Sequence, residues 1–406
     1  MAQGATWRLT SGTGNAIRAI AIFSLILLVA GTQLMSSAQA ATLKVQRRNN
    51  GGFLRATGTS IVDSEGKAVL LRGANFFGYE YGLWDEHTEG DYQKMASWGF
   101  DVVRLPIAWN FIEPKPGSYD DSYFTRYVDR DISWAAKYGM YVILDMHQYC
   151  WSPYFTFCDS WHTAGVPSWA VSGYANTAEG QAHARADFWN NLAANGDVPS
   201  AANPSMQDRF AAMWQHVAGR YAGQNVIAAY DLLNEPTVFS SNGKFWFYDD
   251  DKFSSEALPA FYAKIADAIR TVDKNHMLLW EPDWGTHSSS TVAVSRPNVI
   301  YAPHYPGTSS VDSYDGNKPA LSNAVKAVLQ FAAQSNQPVL FGEWGICADG
   351  TNADQYISDL GDIMHNYNVG WTWWTYGSTS FSMSLIDENG NVRTTLLNGL
   401  LSVLAL

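Results

Sequence analysis

The chain has 406 residues and a formal net charge of −12. That sign opposes binding to a phosphate backbone and excludes nucleic acid as a partner, while the length allows one large buried core. Charged residues, at 16%, fall below the usual quarter and aromatics reach 14%, an excess that suits a core and also flat stacking surfaces.

Residues 1–40 read as an export signal. Arg8 and Arg18 are the only charges, Ala19 to Ala30 ("AIAIFSLILLVA") is an apolar run, and "AQA" at Ala38 to Ala40 is a small-residue cleavage site. The run is too short to span a bilayer comfortably, so secretion is expected, with no stable membrane insertion after cleavage. Residues 41–50 ("ATLKVQRRNN") form a polar lead-in, and residues 51–406 a single domain. In an exported chain Cys150 and Cys158, eight apart, are expected to form a disulfide, leaving Cys347 over. The rival reading is zinc, because His147, Cys150, Cys158 and His162 have loosely zinc-like spacing.

"FLRATGTSIVDSEGKAVLLRG" alternates around "SEG" and predicts a hairpin leading into the first core strand. Eight apolar strands follow: "LRGANFF", "DVVRLPIAW", "YVILDMHQY", "VIAAYDLLNE", "HMLLWEPDW", "VIYAPHY", "PVLFGEW" and "VGWTWWTY". Helical patterns such as "DSYFTRYVDRDISWAAKYG", "SMQDRFAAMWQHVAGRYAG", "ALPAFYAKIADAIRTVDK" and "DQYISDLGDIMHNYN" lie between them, and "RTTLLNGLLSVLAL" supplies the last. The fifth crossover, around "HSSSTVAVS", is too short for a helix. Near-continuous apolar strands mean a parallel sheet covered on both faces. Strict alternation at this count predicts an α/β fold, a single (β/α)8 TIM barrel with an N-terminal β-hairpin. A long insertion, Cys150 to Pro204, separates the third barrel strand from its helix, and loops of that length usually wall a site.

In such a barrel the reacting groups sit at the C-terminal strand ends. Those ends carry Asn75, Arg104, His147, Asn234, Glu235, Glu281, His304, Tyr305, Glu343 and Trp374. Glu235 and Glu343 end the fourth and seventh strands and would face each other across the mouth. A facing pair about 5–5.5 Å apart is what retaining glycoside hydrolysis needs, one acid attacking the anomeric carbon and the other moving the proton. Arg104 could hold Glu343 ionised, an aromatic wall would favour a protonated Glu235, and Asn234 fits a bond to a sugar 2-hydroxyl. No metal or cofactor is required. Glu281 and Glu113 are read as turn or helix caps, and "DDD" at Asp249 to Asp251 as a solvated loop.

"NEP", "GEW", "VRLPIAWNFIEPKPGSYD" and "LDMHQY", in this order and each at a strand end, resemble glycoside hydrolase family 5, from about Gly73 to Gly377. The resemblance implies Glu235 as acid/base, Glu343 as nucleophile and Arg104 as the nucleophile's partner, with His147, Asn234, His304 and Trp374 lining the sugar subsite. One departure matters. The family's histidine and tyrosine on the sixth strand are two apart, whereas His304 and Tyr305 are adjacent. Without a bulge they point to opposite faces, which puts a Tyr305 bond to Glu343 in question. Trp373 and Trp374 pose the same problem, and Trp374 is taken to face the site.

Two substrates compete. One is a β-1,4-glucan, with the chain an endoglucanase acting as a monomer on a neutral carbohydrate. The other is a glycolipid, since "WNFIEPKPGSYD", "VILDMHQY", "GVPSWA" and "DFWNN" resemble the endoglycoceramidase branch. Members of that branch carry a β-sandwich after the barrel, where this chain stops, so the glucan is expected. A carbohydrate-binding barrel without chemistry is the third reading; it would lack Glu235, Glu343 or Arg104, and all three are present.

Overall fold

The computed structural model describes residues 52–406 other than 159–161, 246, 285–290, 308–309 and 378–380. The expected export signal and lead-in lie outside the described residues. A hairpin of β1 (Arg55–Thr57) and β2 (Ser60–Val62) comes first. Gly58, at φ 60°, makes its turn in a conformation glycine adopts without steric cost. The turn expected at "SEG" also forms, with the Gly66 N–H donating to the Asp63 carbonyl and Val62 bridging Ala68. The paired strands nevertheless sit one turn earlier than expected, because Gly58 permits the tighter reversal.

Eight parallel strands follow: β3 (Arg72–Phe76), β4 (Val102–Ile107), β5 (Tyr141–Met146), β6 (Ile227–Asp231), β7 (Met277–Trp280), β8 (Val299–Tyr301), β9 (Leu340–Trp344) and β10 (Gly370–Tyr376). Consecutive strands pair from β3 to β8 and β9 pairs β10, which returns to β3. A Tyr301–Val339 bridge then joins β8 to the approach to β9 and closes the ring. This is the predicted (β/α)8 barrel. Its covering helices include α1 (Glu89–Trp98), α2 (Asp129–Lys137), α3 (Met206–Tyr221), α4 (Leu258–Val272), α5 (Lys318–Gln334), α6 (Ala353–Asn366) and α7 (Thr394–Ala405). In α3 the Ser205 hydroxyl caps the N-terminus by accepting from Asp208 N–H, and Phe210, Met213, Trp214 and Val217 form one buried stripe. The described residues of the crossover after β7 contain no helix. The insertion after β5 carries short helices of its own, Ser168–Val171 and Ala178–Trp189.

Side chains alternate along each strand, so every second residue faces the barrel axis. Val102, Ile143, Ala229 and Leu279 form one inner apolar layer, packed with Leu54, Ile61 and Leu71 from the hairpin region. Two residues further along the same strands stand Arg104, Asp145, Asp231 and Glu281, all buried. The interior therefore changes from apolar to charged toward the C-terminal ends.

Two strands break the alternation, and both breaks serve the mouth. The fourth barrel strand stops at Asp231 rather than running to Glu235. Leu232 and Leu233 both pack in the outer core, so Asn234 and Glu235 stand in the following loop, with Glu235 at φ 44°. The pairing of β9 with β10 slips between Trp371 and Trp373. Phe341 and Trp344 can then both face the outer core, leaving Glu343 aimed inward.

Candidate active site

Arg104 is the hub. Its Nε donates to Asp231 Oδ2 at 2.9 Å, and Nη1 donates to Asn75 Oδ1 and Glu343 Oε1, each at 2.9 Å. Nη2 donates to Asn234 Oδ1 at 2.9 Å and Glu281 Oε1 at 3.1 Å, and lies 2.9 Å from Asp145 Oδ1. Only a rigid fork with five N–H donors can serve so many acceptors. Burial alone would lower its pKa, but Asp145, Asp231, Glu343 and Glu281 raise it well above the ordinary arginine value. Burial pushes the Asp231 carboxyl up to about 8 against the pull of Arg104.

Asp145 and Asp231 are not among the strand-end residues the sequence singles out, because each lies within its apolar strand. Glu281 does more than cap a turn. Its Oε2 accepts the Glu235 backbone N–H at 2.8 Å, while Oε1 faces Arg104 and lies 3.2 Å from His304 Nε2. Glu113 does cap, accepting from the Gly117 N–H and from Trp109 Nε1. In the "DDD" run, Asp249 caps a helical turn by accepting from Lys252 N–H.

Glu235 and Glu343 meet over this hub. One ligand atom each from Glu235, His304 and Glu343 lie within 4.8 Å of one another. That spacing would also suit a cation, but His304 already bridges the acids, with Nδ1 3.0 Å from Glu235 Oε1 and 3.7 Å from Glu343 Oε2. Burial would depress the His304 imidazole; Glu281, Glu343 and its bonds to Glu235 and Glu281 instead raise it well above the ordinary value. Burial pushes the Glu343 carboxyl up to about 7, with the Glu235 charge adding to the rise and His304, Arg104 and His147 opposing it. Gly342 makes room for this arrangement, since a Cβ there would lie 2.6 Å from His304 Nε2. Gln148 was also missed. Its Nε2 donates to the carbonyls of Asn234 at 2.8 Å and Glu235 at 2.9 Å and pins the loop that carries them.

These groups floor a cavity of about 950 Å³ walled by Tyr81, His147, Tyr149, Trp284, Trp374 and Phe381, among others. His147 bonds Asp145 at 2.8 Å, and burial, outweighed by that carboxylate, leaves its pKa raised to about 8. Trp374 lines the cavity with its ring stacked on His147, 5.8 Å between centroids and 8° between planes. Trp373 is fully buried and donates from Nε1 to the Met383 carbonyl. Tyr305 lines the cavity beside His304 despite their adjacency. Its φ of 42° rotates the chain between them, and its N–H donates to the Glu343 carbonyl at 2.8 Å. Cys150 and Cys158 form the disulfide, Cα atoms 5.9 Å apart, which consumes both thiols of the zinc reading. Cys347 is free.

A close carboxylate pair, charge-tuned and set at the C-terminal mouth of a (β/α)8 barrel, marks a glycoside-hydrolase site of the retaining type. Residues 62–380 match the family model Cellulase (glycosyl hydrolase family 5). The chain belongs to that family and is a retaining glycosidase. Endoglycoceramidase I of Rhodococcus hoagii (strain 103S) is 25% identical over 370 residues, covering 84% of this chain and 72% of that one. Endoglucanase C of Acetivibrio thermocellus is 22% identical over 336 residues, covering 73% of this chain and 85% of that one. Endo-glycoceramidase II from Rhodococcus sp., solved with a cellobiose-like isofagomine, matches with a TM-score of 0.70 at 25% identity, covering 84% of this chain and 80% of that one.

Proposed function

We propose that this protein is an exported endo-β-glycosidase that cuts β-1,4-glucan-type chains by double displacement. Glu343 attacks the anomeric carbon while Glu235 protonates the departing oxygen. Glu235 then takes a proton from water, which releases the sugar from Glu343. The observation that carries the double displacement is the approach of the two carboxylates within 4.8 Å, too close for the water that an inverting pair must hold between them. Arg104 steadies Glu343 Oε1, Tyr305 and His304 border both acids, and Asn234 keeps one Nδ2 hydrogen for the sugar 2-hydroxyl after donating the other to the Gln148 carbonyl.

Glu343 has Trp374 on the neighbouring strand, so the transferred sugar lies against Trp374 and His147. The leaving group extends past Glu235 toward Trp284, whose backbone N–H donates to the Pro236 carbonyl at 2.8 Å. That second flank also carries Asp283, Ser310 and Asp312. An aromatic plate among hydroxyl acceptors suits another sugar better than an alkyl chain. Export is supported by the pattern of residues 1–40 and by the disulfide, which persists in oxidising compartments.

The competing reading is glycolipid cleavage, favoured by the 25% identity to Endoglycoceramidase I over 84% of this chain. One panel separates the two: carboxymethylcellulose, β-mannan, xyloglucan, and lactosylceramide in detergent. Reducing ends from the glucan are expected; release of ceramide alone would replace the glucan with a glycolipid. Glu343→Gly should abolish turnover, and added azide should restore it as a glycosyl azide of inverted configuration. Wild-type activity in that variant would refute the nucleophile assignment. Export predicts a mature protein beginning at Ala41 in the culture medium, which N-terminal sequencing checks.

A further inference from the structure

We propose that His162, on the disulfide-tied insertion, is a specificity-determining residue that hydrogen-bonds a hydroxyl of the sugar one unit beyond the one being transferred. His162 is 3% exposed, lines the cavity, and has no hydrogen-bond partner among the described residues on either Nδ1 or Nε2. An unmade bond on a buried polar atom carries a free-energy cost. The other buried histidines are treated differently. His87 bonds Asp131 and the Phe77 carbonyl, His147 bonds Asp145, His276 bonds Asp273 and the Gln224 carbonyl, and His304 bonds Glu235. A core histidine kept for packing would be bonded on both nitrogens, as His87 and His276 are; His162 reserves two polar atoms for something that enters the cavity.

Its position indicates what enters. The Trp374 and His147 rings are nearly parallel at 5.8 Å, and His147 and His162 stack at 5.8 Å and 29°. The row starts on the strand beside Glu343 and runs through His147 to His162 on the insertion. His162 thus stands past the sugar that Trp374 and His147 border. Tyr81 and Tyr149 pack against its ring at 5.0 and 5.7 Å. The next residues are anchored, with the Thr163 and Ala164 N–H groups donating to the Glu80 carbonyl at 2.8 and 3.1 Å. Burial, with the neighbouring His147 charge, lowers the His162 pKa to about 3. The ring is therefore neutral at working pH, with one nitrogen donating and the other accepting. That suits a hydroxyl, which can do both, and does not suit a charged group.

The inference rests on the placement of the transferred sugar against Trp374, and its test separates the two. The probes are 4-nitrophenyl β-glucoside and 4-nitrophenyl β-cellobioside, and the readout is the ratio of their kcat/KM values, cellobioside over glucoside. Wild type should show a ratio above one. His162→Phe keeps a flat ring against His147 and Tyr81 but removes both nitrogens; it should lower the ratio about three- to tenfold, the worth of one neutral hydrogen bond. His162→Gln, which can still donate and accept, should restore part of it. An unchanged ratio in His162→Phe would overturn the role of His162. A wild-type ratio of one would overturn the flank assignment, and the proposal with it.

Discussion

Replacing Glu343 by glutamine should destroy turnover and stabilise the fold, and the stabilisation should depend on pH in a defined direction. Glu343 is 5% exposed, and burial with the Glu235 charge raises its carboxyl from 4.5 to about 7 despite His304, Arg104 and His147. The folded protein then holds this proton more tightly than the unfolded chain does. Wild-type stability from this group is fully present below 4.5 and is lost as pH rises to about 7. The full rise corresponds to at most about 3 kcal/mol. Glutamine keeps an oxygen for Arg104 Nη1 and has no proton to lose. Denaturant midpoints at pH 4, 6 and 8 should show near-equal stability at the lowest pH and a gap favouring Glu343→Gln by up to about 3 kcal/mol at the highest. The same titration predicts that wild-type kcat/KM falls as pH drops through a value well above the ordinary glutamate range, because the nucleophile role proposed for Glu343 requires the carboxylate. A variant less stable than wild type at pH 8, or a gap that ignores pH, would refute the electrostatic account.

Arg104→Met should cost about 3–5 kcal/mol by leaving Asp145, Asp231, Glu281 and Glu343 without their shared counter-charge. Its melting point should recover partly toward acid pH, and Arg104→Lys should rescue little because one ammonium cannot reproduce the fork. Gly342→Ala places a Cβ 2.6 Å from His304 Nε2; the overpacking should cost about 1–3 kcal/mol of stability, read from the denaturant midpoint, and kcat/KM should fall with the displacement of His304. Gln148→Ala frees the Asn234 and Glu235 carbonyls and should lower kcat by about five- to a hundredfold, while circular dichroism stays native. Cys150→Ser opens a loop of sequence separation 8, worth about 2–3 kcal/mol in chain entropy; limited proteolysis should then cut within residues 150–204 first.

The barrel was legible because periodicity and strand count are local signals that sum over the whole chain. The pairing of Glu235 with Glu343 was legible because the (β/α)8 topology sets the fourth and seventh strands opposite each other. Asp145 and Asp231 were not, because an acid inside an apolar run looks alike whether it meets solvent, a helix or a buried guanidinium. Only the distances to Arg104 distinguish them. His162 is the harder case, since its proposed role rests on bonds it does not make among the described residues, and no pattern of residue types records that.

The alternation rule failed where the chemistry is. Counting by twos sends Tyr305 away from His304, yet both line the cavity, and Glu235 stands four residues past the end of its strand. Both departures pass through left-handed backbone at non-glycine residues, φ 44° at Glu235 and 42° at Tyr305, a conformation that costs about 1–2 kcal/mol per residue. Each is held by a bond from its own N–H, to Glu281 Oε2 for Glu235 and to the Glu343 carbonyl for Tyr305. The anchors are themselves part of the site: Glu281 also faces Arg104 and His304, and Glu343 is one of the two facing acids. Backbone strain and acid placement are thus one coupled arrangement. Loosening Glu281 should therefore displace Glu235 and change the charge on His304 together, which a sequence read position by position cannot anticipate.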